Sequence, residues 1–373
     1  MIYLDVSAAV HARAGLGRYS ERLAQAVTQF DSRHKYALFY NQGRDGQMPP
    51  SLSGLPARHV RYGYKPWRMA VWLAHLAGIG FNRLVPGAEL YHSTEHLLMP
   101  LQGVPTVLTM HDLIFSLFPA YHKKLNYYYL NWAVPLFCRR ANKIIAVSQA
   151  TKADLVTHYG LDPAKIAVVH EAAAENFQAP TAAQVAAARQ QYGLPDNFLI
   201  HLSTIEPRKN LSRLLDALQI LRRDRPDLQL ILAGAKGWLY DDFFARIEQE
   251  GLRDVVHALG WVPDEDLPAV IRAASLAVQP SLYEGFGLPV LEHMASDQVV
   301  ACSNRSSLPE IGGDAAAYFD PENVAEMASV IGRLLSDEAE REERRRLGRE
   351  QAARFSWARA ARETVAIYDE VLA

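Results

Sequence analysis

Short apolar runs rich in β-branched residues recur along the chain, separated by amphipathic stretches of helical period. In the first half they are Ile2–Val6, Tyr36–Tyr40, Glu89–His92, Thr106–Met110, Ile144–Val147 and Ile166–Val169. In the second they are Phe198–Ser203, Leu228–Ala233, Val256–Leu259, Leu276–Gln279 and Val299–Cys302. Strands that alternate with helices predict βαβ units and parallel sheets, so each half reads as a doubly wound α/β domain. Between the halves, Glu171 to Gln191 is Ala- and Gln-rich and helix-prone. Gly193-Leu194-Pro195-Asp196 then punctuates the chain and predicts the domain boundary nearby. The next helix is well marked. Asn210 is placed to cap it, Leu211, Leu214, Leu215 and Leu218 form one face, and Arg222 and Arg223 suit its C-terminal dipole.

Composition narrows the classes. A chain of 373 residues, 49% hydrophobic and 21% charged, suits two globular domains. The net charge of −2 gives no global reason to bind nucleic acid, so any anion site must be local. Cys138 and Cys302 are far apart and lack CxxC partners, which excludes a disulfide framework or a cysteine zinc site and fits a cytoplasmic protein. The start, Met1 to Val6, reads as a strand rather than a secretory signal, and no apolar run reaches the roughly 18–20 residues that span a bilayer. The Glu- and Arg-crowded stretch Asp337 to Arg349 mixes both signs and reads as a solvated helix.

The candidate chemistry begins after Phe198–Ser203, in Thr204-Ile205-Glu206-Pro207-Arg208-Lys209-Asn210. Ligands bind at the carboxyl ends of parallel strands, which puts Arg208 and Lys209 where phosphate oxygens would sit. After Leu276–Gln279 the chain runs Tyr283-Glu284-Gly285-Phe286-Gly287-Leu288-Pro289-Val290-Leu291-Glu292. Glycines at a helix start let backbone N–H groups approach a diphosphate. Glu284 and Glu292 would repel phosphate, so they are expected to accept hydrogen bonds from sugar hydroxyls, Glu292 from the ribose and Glu284 from the transferred hexose.

In the first half, Gly15-Leu16-Gly17-Arg18-Tyr19 resembles a phosphate loop without the full GxGxxG. His111-Asp112 follows Thr106–Met110 and puts a histidine at a strand end, where it could contact a reacting sugar. His92-Ser93-Thr94-Glu95-His96 matches H-x-x-E-H. It follows a strand and precedes a loop, so the helical zinc geometry is not expected and no metal site is predicted. Two aromatic-basic stretches, Tyr62 to Trp72 and His122 to Trp132, suit either a membrane interface or amphipathic core packing.

Together these motifs resemble glycosyltransferase family 4, the retaining GT-B group. The resemblance covers nearly the whole chain. It includes the Gly15–Gly17 loop, His111-Asp112, Val147 to Leu155, Glu206 to Asn210, Gly260-Trp261-Val262-Pro263, the Glu284/Glu292 pair and Ser307 to Ile311. It implies two Rossmann-like doubly wound domains facing an interdomain cleft. Residues 1–175, joined by a C-terminal helix at about 357–373, would form the acceptor domain, and 176–356 the donor domain. Arg208 and Lys209 would neutralise the diphosphate, and Gly285, Phe286, Gly287 and Leu288 would supply backbone N–H groups. Glu292 would bind ribose, and Glu284 and His111 would contact the sugar. Gly15 and Gly17 would lie near the donor phosphate and the acceptor. The base would lie near Lys236 and Val262. One departure stands out: the family usually continues Ala-x-Gly-x-Pro after the second glutamate, and here Ala295-Ser296-Asp297-Gln298-Val299 puts Asp at the Gly position.

The expected activity is retaining transfer of a hexose, by overall similarity mannose, to a saccharide or lipid-linked acceptor in polysaccharide or glycolipid synthesis. Fixed cations would do the work of a metal, so no cofactor is expected. Peripheral contact with the inner face of a membrane through the N-terminal domain is also expected. The alternatives are a GT-B nucleotide-sugar epimerase and a non-catalytic nucleotide-sugar-binding protein; the former would need carboxylate acid/base pairs not evident in the first half.

Overall fold

The computed structural model describes all 373 residues except Asp45, His122 and Lys123, and the side chain of Ala14. The chain divides into two compact units, residues 1–171 with 356–373, and residues 172–355.

The first unit is built on seven parallel strands: β1 (Ile2–Asp5), β2 (Tyr36–Asn41), β3 (Ala57–Val60), β4 (Leu90–Ser93), β5 (Thr106–Met110), β6 (Lys143–Ala146) and β7 (Ile166–Val168). Their order is β3-β2-β1-β4-β5-β6-β7. Helices α1 (Ser7–Val10), α2 (Ala14–Phe30), α3 (Tyr64–Ala77), α4 (Ile114–Leu117), α5 (Lys124–Arg140) and α6 (Gln149–Tyr159) supply the crossovers. The C-terminal helix Trp357–Leu372 joins this unit. Its Tyr368 hydroxyl lies 2.6 Å from His92 Nδ1, and Trp357 packs on Tyr19.

The second unit has six parallel strands: β8 (Phe198–Leu202), β9 (Gln229–Ala233), β10 (Val256–Gly260), β11 (Leu276–Gln279), β12 (Val300–Ser303) and β13 (Ala317–Phe319). Their order is β10-β9-β8-β11-β12-β13. Around them lie α7 (Ala182–Tyr192), α8 (Leu211–Leu221), α9 (Asp241–Gln249), α10 (Leu267–Ala273), α11 (Leu288–Ala295), α12 (Leu308–Gly312), α13 (Val324–Ser336) and α14 (Glu338–Ala352). The central strands β8 and β11 are buried on both faces, which is why they read in the sequence as near-continuous apolar runs.

Two strands were not expected. β3 is an edge strand with three exposed residues, and β13 has only three residues, so neither carries an apolar run. The helix-prone stretch becomes α7, which starts only at Ala182 because Thr181 and Gln184 form a capping box there. It belongs to the second unit, so the Gly193–Asp196 segment connects α7 to β8 rather than joining the units.

Each sheet has one topological switch point, between β1 and β4 in the first and between β8 and β11 in the second. Crossovers leave in opposite directions there, and the loops at the strand carboxyl ends part to leave a crevice, the usual ligand position in open α/β sheets.

Candidate active site

In the second unit the loops after β8 and β11 meet at the switch point. A short 3-10 turn, Pro207–Lys209, follows β8 and turns both cations toward the β11 loop. Lys209 Nζ donates to Glu284 Oε1 at 2.7 Å, and Arg208 Nη1 donates to Glu284 Oε2 at 2.7 Å. Arg208 Nη1 also reaches the Tyr283 carbonyl at 2.5 Å, and Nη2 reaches Glu206 Oε1 at 2.5 Å. Ser281 Oγ donates to Glu284 Oε1 at 2.6 Å. The Glu284 carbonyl accepts from the Ser306 and Ser307 hydroxyls, the latter at 2.9 Å.

Burial alone would raise the Glu284 carboxyl. Arg208 and Lys209 overcome it and hold the group well below the usual carboxylate range. Burial and the neighbouring Arg208 pull the Lys209 ammonium down, against the opposing pull of Glu284. Two cations thus face two carboxylates, Glu206 and Glu284, and the cluster is formally balanced. The expected separation, with cations for phosphate and Glu284 for sugar, is therefore not the arrangement of the ligand-free chain. Glu284 is the shared counter-ion.

The glycine stretch lies where the sequence placed it. Gly287 sits at the N-cap of α11 with φ 102°, and a Cβ there would lie 2.8 Å from Leu308 Cδ2, so only glycine fits without strain. Leu288 opens the helix. Glu292 is buried on it, and Phe286 is buried with its ring against Phe355. Val262 is buried in the loop after β10, beside the exposed Trp261. Lys236, after β9, lies 4.5 Å over the ring of Phe244. All of these loops leave the carboxyl end of one parallel sheet.

His111, Gly15 and Gly17 belong to the first unit. The glycines are not in a loop as expected: α2 begins at Ala14, so they lie in its first turn. A Cβ on Gly17 would come 2.9 Å from the Ala8 carbonyl oxygen, so this glycine lets α2 approach α1. His111 follows β5 with Nδ1 3.1 Å from Glu171 Oε1 and Nε2 3.0 Å from the Thr94 carbonyl. Burial would lower its pKa, but two acceptors, one of them a carboxylate, raise it. The H-x-x-E-H residues are not on a helix. His92 lies within β4 with both nitrogens hydrogen-bonded, to Tyr368 and Thr109, and Glu95 pairs with Arg13. Among the described residues no cluster of three or more His, Cys, Asp or Glu side chains could hold a metal ion.

One local expectation fails for a stated reason. Asn210 takes the N-cap position of α8 but in the left-handed region, φ 60°. Its side chain instead donates to the Pro280 and Pro321 carbonyls at 3.0 and 2.8 Å, tying this loop to the β11 and β13 ends. Asp297, in place of the glycine before β12, keeps the left-handed turn with φ 59°. Asp tolerates that region better than most residues, and Arg272 and Arg349 both pair with its carboxylate. The sequence reading missed Glu206 as a partner of Arg208, and Ser281, Ser306 and Ser307 around Glu284. Their proximity in sequence to quoted motifs was the available signal.

The model of glycosyl transferases group 1 matches residues 185–354, and that of Glycosyltransferase Family 4 matches residues 13–173. The chain is 30% identical over 369 residues to O-antigen chain mannosyltransferase B of Escherichia coli, covering 95% of each. It is 31% identical over 287 residues to the serotype-specific mannosyltransferase WbdA of Escherichia coli, covering 72% of this chain and 34% of that protein. The crystal structure of Anabaena HepE in complex with UDP and glucose superposes with a TM-score of 0.75 at 20% identity, covering 99% of this chain and 98% of that one.

Proposed function

The chain belongs to glycosyltransferase family 4 (group 1) and has the GT-B fold of two Rossmann-like domains; within that family we propose that it is a retaining, metal-independent mannosyltransferase using a GDP-linked donor and a saccharide or lipid-linked acceptor. The observation that carries this is the Arg208–Lys209–Glu284 cluster at the β8/β11 switch point beside the start of α11. Mannose is supported by the name of the 30% identical relative, and a nucleoside diphosphate leaving group by the UDP in the HepE complex.

In this reading the diphosphate takes the place of Glu284 on Arg208 and Lys209, and the backbone N–H groups at Gly287 and Leu288 face it. The exchange releases the Glu284 carboxylate to accept hydrogen bonds from the hexose hydroxyls, and Glu292 holds the ribose diol. The sugar C1–O(phosphate) bond breaks and a C1–O(acceptor) bond forms on the same face. The acceptor proton passes to a departing phosphate oxygen. Arg208, Lys209 and the helix start stabilise the charge that grows on the diphosphate. His111 orients the sugar.

A thermal-shift panel of GDP-, UDP-, dTDP- and ADP-sugars tests the donor, because a bound ligand stabilises the fold by mass action. GDP-mannose should give the largest shift. Incubation with donor alone in EDTA should then release nucleoside diphosphate slowly. An isomerised donor would mean an epimerase, and loss of turnover in EDTA restored by Mg²⁺ would overturn metal independence. NMR of the product gives the anomer, and inversion at C1 would overturn retention.

Peripheral contact of the first unit with the cytoplasmic face of an anionic membrane is part of the proposal. No helix among the described residues is long and apolar enough to cross a bilayer. α3 exposes Met69, Leu73 and Leu76, and α5 exposes Leu125, Tyr128 and Trp132, with Trp72 stacked on Trp132 at 6.3 Å. Of the aromatic-basic stretch before α5, His122 and Lys123 lie outside the described residues. The sequence carries no carboxylate between Asp45 and Glu89, or between Asp112 and Asp154. The first unit holds 20 Lys and Arg against 13 Asp and Glu, a net +7, and the second holds 19 against 28, a net −9. Exposed apolar side chains within a basic field suit an anionic lipid surface. Co-sedimentation with vesicles containing 30% phosphatidylglycerol, absent with phosphatidylcholine alone, is the expected result; no binding to either would sink this part.

A further inference from the structure

The Glu- and Arg-crowded stretch Asp337 to Arg349 folds into α14, capped by Asp337, yet it is not solvated throughout. The side chains of Arg341 and Arg345 are only 15% and 12% exposed. Both line a cleft of about 230 Å³ at the amino ends of β8, β9 and β11, the opposite end of the sheet from the Arg208–Lys209–Glu284 cluster. Asn197, Asp227 and Ser275, from the segments that lead into those three strands, also line it, and Arg225 enters from the loop after α8.

Pairing along the helix does not account for these arginines. Arg345 Nη1 lies 3.1 Å from Glu338 and 3.0 Å from Glu342, and Arg341 pairs with Glu338, but the two glutamates are 68% and 66% exposed. Pairs in that setting are worth roughly 0–1 kcal/mol each, enough to support the first turns of α14 and easily given up. Arg345 Nε is buried with no hydrogen-bond partner, which is unfavourable for a cationic donor. Arg225 donates to the neutral Ser336 hydroxyl at 2.6 Å and has no carboxylate partner among the described residues. The cleft lining itself holds one carboxylate, Asp227, which accepts from the Asn197 side chain. Three guanidiniums against one carboxylate leave two positive charges over, in a unit whose net charge is −9. A cation is disfavoured there, and a neutral ligand leaves the surplus unmet. A phosphoryl dianion meets it, and its oxygens suit the N–H fork of arginine. Pockets for larger ligands start at about 300 Å³, so the cleft fits phosphate or a small phosphomonoester rather than a nucleotide.

We propose that Arg225, Arg341 and Arg345 form a second anion site, separate from the donor site, that takes inorganic phosphate or the phosphoryl group of a small metabolite. The test is isothermal titration calorimetry on the full chain at constant ionic strength, with phosphate and glycerol phosphate as probes and acetate as the control. Arg208 and Lys209 also attract phosphate, so each titration is repeated in Arg208→Gln, where the binding that survives belongs to the cleft. Arg345→Gln should weaken that binding about 10- to 100-fold, the loss expected for one charge-assisted hydrogen bond, and Arg225→Gln by a similar factor. Glu338→Gln removes a carboxylate that competes for two of the arginines and should tighten binding about two- to fivefold, a gain that a merely structural ion-pair network would not give. Melts without phosphate check that each variant folds. Arg225 gives up only a bond to a hydroxyl, so Arg225→Gln answers the question even where Arg345→Gln does not fold. Tighter binding of phosphate, or of glycerol phosphate, supports the proposal and says which source the cleft takes. Phosphate binding that is lost in Arg208→Gln, or unchanged in Arg225→Gln, overturns it. So does acetate that binds as tightly as phosphate, because the cleft would then be a basic patch without a preferred ligand.

Discussion

Replacing Glu284 with Gln probes the centre of the candidate site while preserving its shape. The change removes the negative charge that two cations share, with both contacts at 2.7 Å. Breaking a buried ion pair by deleting one partner costs about 3–5 kcal/mol. Here Arg208 keeps Glu206 and the Tyr283 carbonyl, so the loss should fall to about 2–3 kcal/mol, most of it from Lys209. For a unit the size of residues 172–355, each kcal/mol moves the melting temperature by about 2–4 °C, so the ligand-free variant should melt about 4–12 °C lower. In the proposed reading, nucleoside diphosphate returns negative charge to the same two cations. The shift it produces, about 2.7 kcal/mol at one hundred times Kd for any ligand, should therefore saturate at lower concentration in the variant than in the native chain. Transfer should fall by about 100-fold or more in kcat, because the amide cannot replace the carboxylate at the hexose. Thermal melts over a diphosphate titration, with a turnover assay in parallel, read all three. A Glu284→Gln chain that melts within about 1 °C of native and transfers at the native rate would refute both the counter-ion and the sugar-contact arguments.

Three further outcomes follow from the geometry. Gly287→Ala places a Cβ 2.8 Å from Leu308 Cδ2 at φ 102° and should cost about 1–3 kcal/mol in thermal melts with a raised donor KM; a native KM would show that the helix start does not meet the donor. At the turn before β12, Asp297→Ala keeps the unfavourable φ of 59° and loses both arginine contacts, whereas Asp297→Gly loses the contacts but relieves the backbone. Denaturant melts should therefore find the glycine variant about 1 kcal/mol more stable than the alanine one. Burial pushes His92, His201 and His293 down from 6.5 to about 3, about 4 and about 3. Neutral when folded and protonated when unfolded, they contribute stability that is present above pH 6.5 and lost as the pH falls toward 4 and 3. Each should withdraw about 2 kcal/mol between pH 7 and 5, and His293→Leu should flatten that slope in pH-dependent melts.

The sequence by itself determined most of the strands and the family. Strands buried on both faces, such as β5 and β11, must be apolar throughout, so they are legible without any partner in view. The glycine before α11 is legible because its backbone demands it, and the order of motifs along the chain carried the resemblance. The exposed edge strand β3 escaped because nothing buries its side chains.

Which charges meet was decided only by the tertiary structure. Lys209 and Glu284 lie 75 residues apart, and Arg13 and Glu95 lie 82 apart. No periodicity or spacing relates such pairs. They become neighbours because β11 lies beside β8 and β4 beside β1, an order fixed by how the crossover helices pack on each sheet. Local propensity acts over a few residues, whereas strand order is a property of the whole core. Both glutamates of the glycine motif therefore read in the sequence as sugar-binding groups, and only the fold showed Glu284 as the counter-ion of two cations.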